Sequence, residues 1–199
     1  MGSVLVLSLI HISGGAAGLA AAIAAAECGD TVTVVEKMDR VGKKILATGN
    51  GRCNLMNTGA PRYPGNAAFA ADVLSHCGAE AQKAFWEHLG LRLRQEEAGR
   101  VYPVSSQASS VLDALRLQLT ALHVRVVTGV SITALHREND GWTALSADGQ
   151  RFRANRVIIS GGGCAQPKLG SDGSALRLLT NLGCPATPFA PALTQIITD

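Results

Sequence analysis

The sequence is poor in several features that would point to particular classes of protein. Aromatic residues make up only 4% of its 199 residues, and the formal net charge is +3. Basic residues do not alternate with aromatic ones, as they do on surfaces that stack nucleic-acid bases, so we expect no nucleic-acid partner. The first residues also lack the basic n-region of a signal peptide, and glycines interrupt the apolar run that follows. We therefore expect no membrane span.

Cysteine usage excludes two further classes. The five cysteines form no CxxC pair and have no histidine at ligand spacing. An odd number without these spacings argues against a zinc site and against a disulfide framework, and it fits a reducing cytoplasm. By contrast, hydrophobic residues make up 47% and charged residues 17%, which is typical of a globular protein with a buried sheet. We therefore expect a cytoplasmic α/β protein.

Residues 4–35 read as a βαβ unit. Residues 4–12 are an apolar strand, residues 13–18 a glycine turn, residues 19–27 an alanine-rich helix that Gly29 ends, and residues 31–35 a second strand. The turn has the spacing of the dinucleotide fingerprint G-x-G-x-x-G, with serine in the first glycine position. A pyrophosphate would lie at the helix N-terminus, and Glu36 would accept both hydroxyl hydrogens of a ribose. We expect Ser13 to crowd this turn, because its side chain restricts the backbone angles.

A basic loop follows the second strand. It combines backbone donors, two ammonium groups and a guanidinium, which can converge on a phosphate. A solvated surface loop is the alternative for this stretch alone. The candidate residues are Lys37, Lys43, Lys44, Thr48, Gly49, Asn50, Gly51, Arg52, Cys53 and Asn54. The neighbouring Arg52 could lower the pKa of the Cys53 thiol and make it reactive. A buried, inert thiol is the stronger expectation, because free cysteines are usually buried.

The remainder of the chain predicts a scaffold. We expect helices at 66–77, 79–89, 108–122 and 172–182, and strands at 91–95, 100–104, 124–127 and 156–159. The first of these helices presents Ala68, Phe69, Ala71, Val73 and Leu74 as core residues. An antiparallel meander is predicted over 130–153, and a second glycine turn, with Gly161 and Gly162, follows the last strand. The expected division is 1–129 for the dinucleotide-binding βαβ domain, 130–154 for the meander and 155–199 for the return to that domain.

Several strings resemble one family of bacterial flavoproteins. They are Gly14-Gly15-Ala16-Ala17-Gly18, Val35-Glu36-Lys37, the stretch from Gly42 to Asn54, Arg100 to Ser105, and Pro191-Ala192-Leu193. Together they are similar to the NAD(P)/FAD-dependent oxidoreductases labelled YhiN-like, BaiN-like or aminoacetone oxidase family. Thr-Gly-Asn-Gly-Arg-Cys-Asn is the most specific of them. Ser13, residues 4–12, Ser160-Gly161 and Ser171-Asp172-Gly173-Ser174 depart from the family pattern.

The resemblance implies a Rossmann-like FAD-binding domain of the two-dinucleotide-binding-domain type, with bound FAD. Gly15 and Gly18 would face the pyrophosphate, residues 43–54 would lie along the phosphates toward the flavin, and Val130 would offer backbone to the adenine. Gly161 and Gly162 would form the second cofactor turn. The implied chemistry is hydride transfer at the flavin to an enone-like small molecule, with NAD(P)H as a candidate donor. No catalytic acid or base and no oligomeric state is identified.

Family members are about twice as long, so the resemblance also implies an N-terminal fragment that lacks the substrate domain. Three alternatives remain open. The chain is the cofactor-binding part of an FAD-dependent oxidoreductase, a non-catalytic FAD- or NAD-binding module, or a truncated chain without activity.

Overall fold

A computed structural model describes residues 7–60, 63 and 65–190. The parts of the predicted strand and tail at 4–6 and 191–199, including Pro191-Ala192-Leu193, lie outside the described residues. The chain divides into two compact units, residues 1–44 with 122–199, and residues 45–121. The predicted boundaries near residues 129 and 154 stay a prediction.

The first unit is built on a six-stranded sheet in the order β6-β2-β1-β9-β8-β7. Its strands are β1 (Leu7–Ile12), β2 (Val32–Val35), β6 (Arg125–Val127), β7 (Ile132–Glu138), β8 (Gly141–Ser146) and β9 (Arg151–Ile159). Strands β6, β2, β1 and β9 are mutually parallel, whereas β9, β8 and β7 form an antiparallel meander. The Rossmann-like α/β fold class is therefore confirmed.

Strand β9 belongs to both parts of this sheet. Its first half pairs antiparallel with β8, and its second half pairs parallel with β1. Ala154 lies at the changeover, opposite both Trp142 and Leu7. The sequence predicted a meander ending at 153 and a separate strand at 156–159, and that separation is wrong. Exposed Asn155 and Arg156 broke the apolar pattern, but they continue the ladder through their backbones.

Helices α1 (Ala16–Glu27) and α6 (Ser174–Asn181) complete the first unit. Helix α1 begins three residues earlier than predicted, because Gly15 is its N-cap with extended backbone angles. It ends as predicted, since Gly29 adopts a φ of 91° just beyond the Cys28 C-cap. The buried core of this unit contains residues from β1, β7 and α6, such as Ile10, Ile132 and Leu178.

The second unit contains a three-stranded antiparallel sheet in the order β3-β5-β4. The strands are β3 (Met56–Asn57), β4 (Leu93–Gln95) and β5 (Arg100–Pro103). The predicted pair of strands on either side of residues 96–99 is thus confirmed. The helices are α3 (Ala67–His76), α4 (Ala79–His88) and α5 (Ala108–Ala121), and α2 (Lys43–Ala47) leads into the unit.

The packing of these helices was only partly predictable. Helix α5 buries Val111, Leu112, Leu115 and Leu119, as its periodicity indicates. Helix α3 instead has no buried residue, and Phe69 is 65% exposed. The prediction that α3 presents core residues is therefore wrong. An apolar stripe indicates which face of a helix can be buried, but not whether another element covers it.

Candidate cofactor site

The first glycine turn joins β1 to α1 with little free space. A Cβ on Gly14 would collide with the Val41 side chain, and one on Gly18 would collide with the Ser13 carbonyl oxygen and lie 2.6 Å from the Ser160 Oγ. A Cβ on Gly15, by contrast, would meet no atom closer than the Ser13 Oγ at 3.5 Å. Gly14 and Gly18 thus permit close packing of strand and helix, and Gly15 leaves an open side.

Backbone donors point out of this open side. The first helical bond of α1 runs from Leu19 N to Gly15 O at 2.9 Å. The N–H groups of Ala16 and Ala17 precede it, so they have no acceptor within the helix, and both residues are exposed. The positive end of the helix dipole adds to their attraction for an anion. This end of α1 can therefore bind a phosphate group.

Ser13 occupies the first fingerprint position with a φ of 108°. L-residues rarely adopt this region, because the Cβ crowds the backbone, and glycine occupies it freely. The sequence predicted that Ser13 would crowd the turn, and this unfavourable φ agrees with that prediction. Its hydroxyl accepts a hydrogen bond from Gly15 N at 3.2 Å and donates one to Glu36 Oε2 at 3.4 Å.

Glu36 directly follows β2 and is only 6% exposed. Its carboxylate accepts hydrogen bonds from Gly14 N at 2.5 Å and from Met38 N at 2.8 Å, besides that from Ser13. These bonds satisfy the buried charge and fix the side chain beside the glycine turn. Glu36 therefore lies where the dinucleotide arrangement requires an acid, with most of its acceptor capacity already in use.

The second glycine turn and the lysines lie at the same pocket. A Cβ on Gly161 would come within 2.5 Å of the Ala175 Cβ, and Gly162 has a φ of 71°. Lys44 donates a short hydrogen bond to Ser171 Oγ. A pocket of about 210 Å³ is lined by both turns, by Glu36, Lys43 and Lys44, and by residues that the sequence did not single out as binding residues, Met38, Arg40, Gly42, Ser160, Leu169, Gly170 and Ser171.

Lys37 and Val130 are engaged within the protein. Lys37 Nζ donates to Asp172 Oδ1 at 2.6 Å and to Ser174 Oγ at 3.1 Å. The hydrogen bond from Lys37 holds the pKa of Asp172 well below its usual range, and the hydrogen bond that Asp172 accepts from Ser174 adds a smaller effect in the same direction. Val130 donates its N–H to Glu36 O at 3.0 Å. A contact between Val130 and an adenine would therefore have to use the carbonyl oxygen.

The remaining candidates, Thr48 to Asn54, belong to the second unit and form a tight turn. Gly49 and Asn50 both have a φ of 55°, and a Cβ on Gly49 would lie 2.6 Å from Asn54 N. The Arg52 guanidinium lies 4.1 Å from the centre of the Tyr102 ring and forms an ion pair with Glu96. Thr48, Gly51 and Asn54 are exposed. That these residues contact a cofactor stays a prediction.

Cys53 does not have the surroundings of a reactive thiol. Its side chain is buried, and this burial raises the pKa of the thiol, with a smaller opposing effect of the hydrogen bond with Thr48. Arg52 is directed at Glu96 and Tyr102. The structure supports the inert thiol that the sequence favoured.

Two further kinds of feature are absent from the described residues. No helix in that part of the chain combines the length and apolarity that a membrane crossing requires. Within the same residues, no group of three or more His, Cys, Asp or Glu side chains is placed to hold a metal ion.

Comparison with known proteins gives a consistent family and fold. Residues 7–190 match the HI0933-like protein Rossmann domain. The chain is 45% identical over 190 residues to the 3-dehydro-bile acid delta(4,6)-reductase of Clostridium scindens, with 93% of this chain and 46% of that protein covered. It is 25% identical over 191 residues to a ribosomal RNA dihydrouridine synthase of Haemophilus influenzae, with 90% and 46% covered.

Among solved structures, the open conformation of a flavocytochrome c3 fumarate reductase superposes with a TM-score of 0.66. The two chains are 16% identical, and the match covers 89% of this chain and 40% of that one, which shows a shared fold. The chain spans about half the length of the curated relatives that it matches.

Proposed function

The chain belongs to the HI0933-like Rossmann domain family, and from that premise we propose that it is the cofactor-binding part of an FAD-dependent oxidoreductase. One observation carries the proposal. The free N–H groups at the start of α1, the Lys44 ammonium and the second glycine turn line one pocket beside a buried acid, Glu36. Donors for a pyrophosphate and an acceptor for a ribose are what an adenine dinucleotide needs.

The residues fit such a group because the pocket keeps open the space that larger side chains would fill. Gly15 would bring its backbone close to a pyrophosphate, and the N–H groups of Ala16 and Ala17 would donate to it. Lys44 would add a positive charge, and Glu36 would hold the adenosine ribose. FAD would supply a two-electron carrier able to accept and donate a hydride. The protein residues would bind it, orient it and balance its negative charge.

We further propose reduction of a carbon–carbon double bond conjugated to a carbonyl group. Delta(4,6) reduction of a 3-dehydro-bile acid and formation of dihydrouridine, as the names of the two relatives state them, both saturate such a bond. The net charge of +3, without basic and aromatic residues in alternation, favours a small-molecule substrate over RNA for this chain. NAD(P)H is the proposed electron donor, and the cytoplasm is the proposed location.

The test of cofactor binding is the visible absorption spectrum of the purified chain after addition of FAD and removal of the excess. We expect a flavin spectrum that stays with the protein. Lys44→Met should weaken FAD binding by about 10-fold to 100-fold, because a charged donor to phosphate is lost. Lys83→Met is the matched control, since Lys83 is exposed on α4 and pairs with Glu87. A chain that retains no FAD, or a Lys44 variant equal to the control, contradicts the proposal.

A second measurement separates an enzyme from a binding module. The FAD-loaded chain is mixed with NADPH and an α,β-unsaturated ketone, and the loss of the enone absorbance is followed. Bound flavin that NADPH reduces, with consumption of the enone, supports the oxidoreductase. Bound flavin that stays oxidised supports the non-catalytic module. A chain with no cooperative unfolding transition supports the inactive fragment.

A further inference from the structure

The Ser13 hydroxyl lies between two groups that a dinucleotide would use. It donates to Glu36 Oε2 at 3.4 Å and accepts from Gly15 N at 3.2 Å. Both contacts fall inside the pocket that the glycine turns and the lysines line. A glycine in this position, as the fingerprint has it, would make neither contact.

The acceptor sites of Glu36 can be counted. An ionised carboxylate has about four lone-pair sites on its two oxygens. Gly14 N and Ser13 Oγ both donate to Oε2, and Met38 N donates to Oε1. One site is left, whereas the two hydroxyls of a ribose diol need two. One of the three protein donors must therefore withdraw before the diol can bind in full.

Ser13 is the donor that withdraws most easily. The bonds from Gly14 N and Met38 N, at 2.5 Å and 2.8 Å, are shorter and come from backbone held by the turn and by the end of β2. The bond from Ser13 is longer, at 3.4 Å, and a hydroxyl can rotate away. Its release has a cost, because Glu36 is nearly buried and loses a donor until the ribose replaces it.

We infer that Ser13 limits the affinity of this site, because its hydroxyl competes with the ribose hydroxyls for the Glu36 carboxylate. The inference rests on the proposed function, since it presumes a nucleotide with a ribose diol. According to this inference, Ser13 controls the affinity of the site for the ribose part of a nucleotide, and the flavin plays no part in the effect. The same serine also holds the turn in a backbone region that favours glycine, so its replacement has two separable effects.

Calorimetric titration of the chain with ADP and with 2′-deoxy-ADP separates these effects. Both nucleotides carry the pyrophosphate, but only ADP presents two ribose hydroxyls. Ser13→Ala removes the hydroxyl and keeps the Cβ, whereas Ser13→Gly removes both. We expect Ser13→Ala to bind ADP about 3-fold to 10-fold more tightly than the wild type, as the loss of one competing hydrogen bond allows. For 2′-deoxy-ADP, which one free acceptor site satisfies, we expect equal affinity.

Ser160→Ala is the matched control in the same pocket. The Ser160 hydroxyl donates to the Ile12 and Ser13 carbonyl oxygens, both at 3.4 Å, and does not touch Glu36. Its removal should give no gain for ADP. Ser13→Gly should show the same preference for ADP over 2′-deoxy-ADP as Ser13→Ala, together with a higher unfolding temperature from the relaxed turn.

The outcomes distinguish this inference from the proposed function. If neither the wild type nor any variant binds ADP or FAD, both are overturned. If the wild type binds FAD and ADP but the Ser13 variants bind ADP no more tightly, only the inference about Ser13 is overturned. If Ser13→Ala gains equally for both nucleotides, the gain does not come from the ribose hydroxyls, and competition for Glu36 is refuted.

Discussion

The buried histidine of β1 predicts a loss of stability in mild acid. His11 has no exposed surface, and neither of its ring nitrogens has a hydrogen-bond partner among the described residues. Burial lowers the pKa of His11 from 6.5 to about 4. The unfolded chain therefore takes up the proton first as the pH falls. Above pH 6.5 His11 is neutral in both the folded and the unfolded chain, so the free energy of unfolding has its full value. It falls progressively as the pH is lowered from 6.5 toward 4.

This linkage gives a measurable magnitude. The free energy of unfolding should fall by about 2 kcal/mol between pH 8 and pH 5, and by about 3 kcal/mol below pH 4. Carboxylates of lowered pKa, such as Asp172, contribute to acid lability only at lower pH. The interval from pH 8 to pH 5 therefore isolates the histidine.

Urea unfolding at a series of pH values, followed by tryptophan fluorescence, measures this effect. Trp142 packs against the core of the first unit, and Trp86 lies on α4 of the second. In a Trp86→Phe background, the signal therefore reports on the unit that contains His11. His11→Leu should remove most of the fall between pH 8 and pH 5 and should raise stability at pH 5. His136→Leu, at an exposed position, should keep the wild-type dependence.

The reasoning about His11 would be refuted by a wild type whose unfolding free energy stays constant from pH 8 to pH 5. A His11→Leu variant that loses stability over this interval as steeply as the wild type would refute it equally, because the titrating group would then lie elsewhere.

Three further predictions concern the glycine turn, the thiols and an ion pair. Gly18→Ala should lower the free energy of unfolding by about 1–3 kcal/mol, because the added Cβ collides with the Ser13 carbonyl oxygen. Gly15→Ala, whose Cβ has ordinary clearance, should keep the wild-type melting temperature and weaken FAD binding. Equal melting temperatures for the two variants would contradict this prediction. Cys53 should react with a thiol reagent such as DTNB only after unfolding, and the thiols that react at once should be Cys28, Cys77, Cys164 and Cys184. Asp172→Asn, which loses the ion pair with Lys37, should lower the melting temperature slightly at neutral pH. The difference should shrink in acid, because the unfolded wild-type chain then binds a proton at Asp172 that the folded chain does not. A difference that grows in acid would contradict it.

The sequence predicted the order of strands and helices well, because strongly apolar runs and glycine breaks mark them. It placed the start of α1 too late, since Gly15 is an N-cap without the side-chain oxygen that usually marks one. It missed the continuity of β9, because a polar outward face hides a strand that changes partners. Both errors concern backbone geometry that side-chain patterns do not record.

Part of the candidate pocket follows from the sequence. Residues 13–17, Gly161, Gly162 and Lys44 line one pocket, whereas Gly18 packs against Ser13 and Ser160. The three hydrogen bonds that the Glu36 carboxylate accepts could not be predicted from the sequence, because they depend on the directions in which the donors point. Likewise, no spacing rule joins Arg52 to Glu96, which are separated by 44 positions.

The double pairing of β9 restricts how this domain can be recombined. The residues that continue β8 in the meander are covalently the same strand that runs beside β1 and ends at the second glycine turn. A chimera that exchanges the whole meander for another sequence would also exchange the support of that turn. A graft confined to residues 139–140 at the hairpin tip, or to the connection at 147–150, leaves the strand intact. Variation between relatives is expected to concentrate at these two tips.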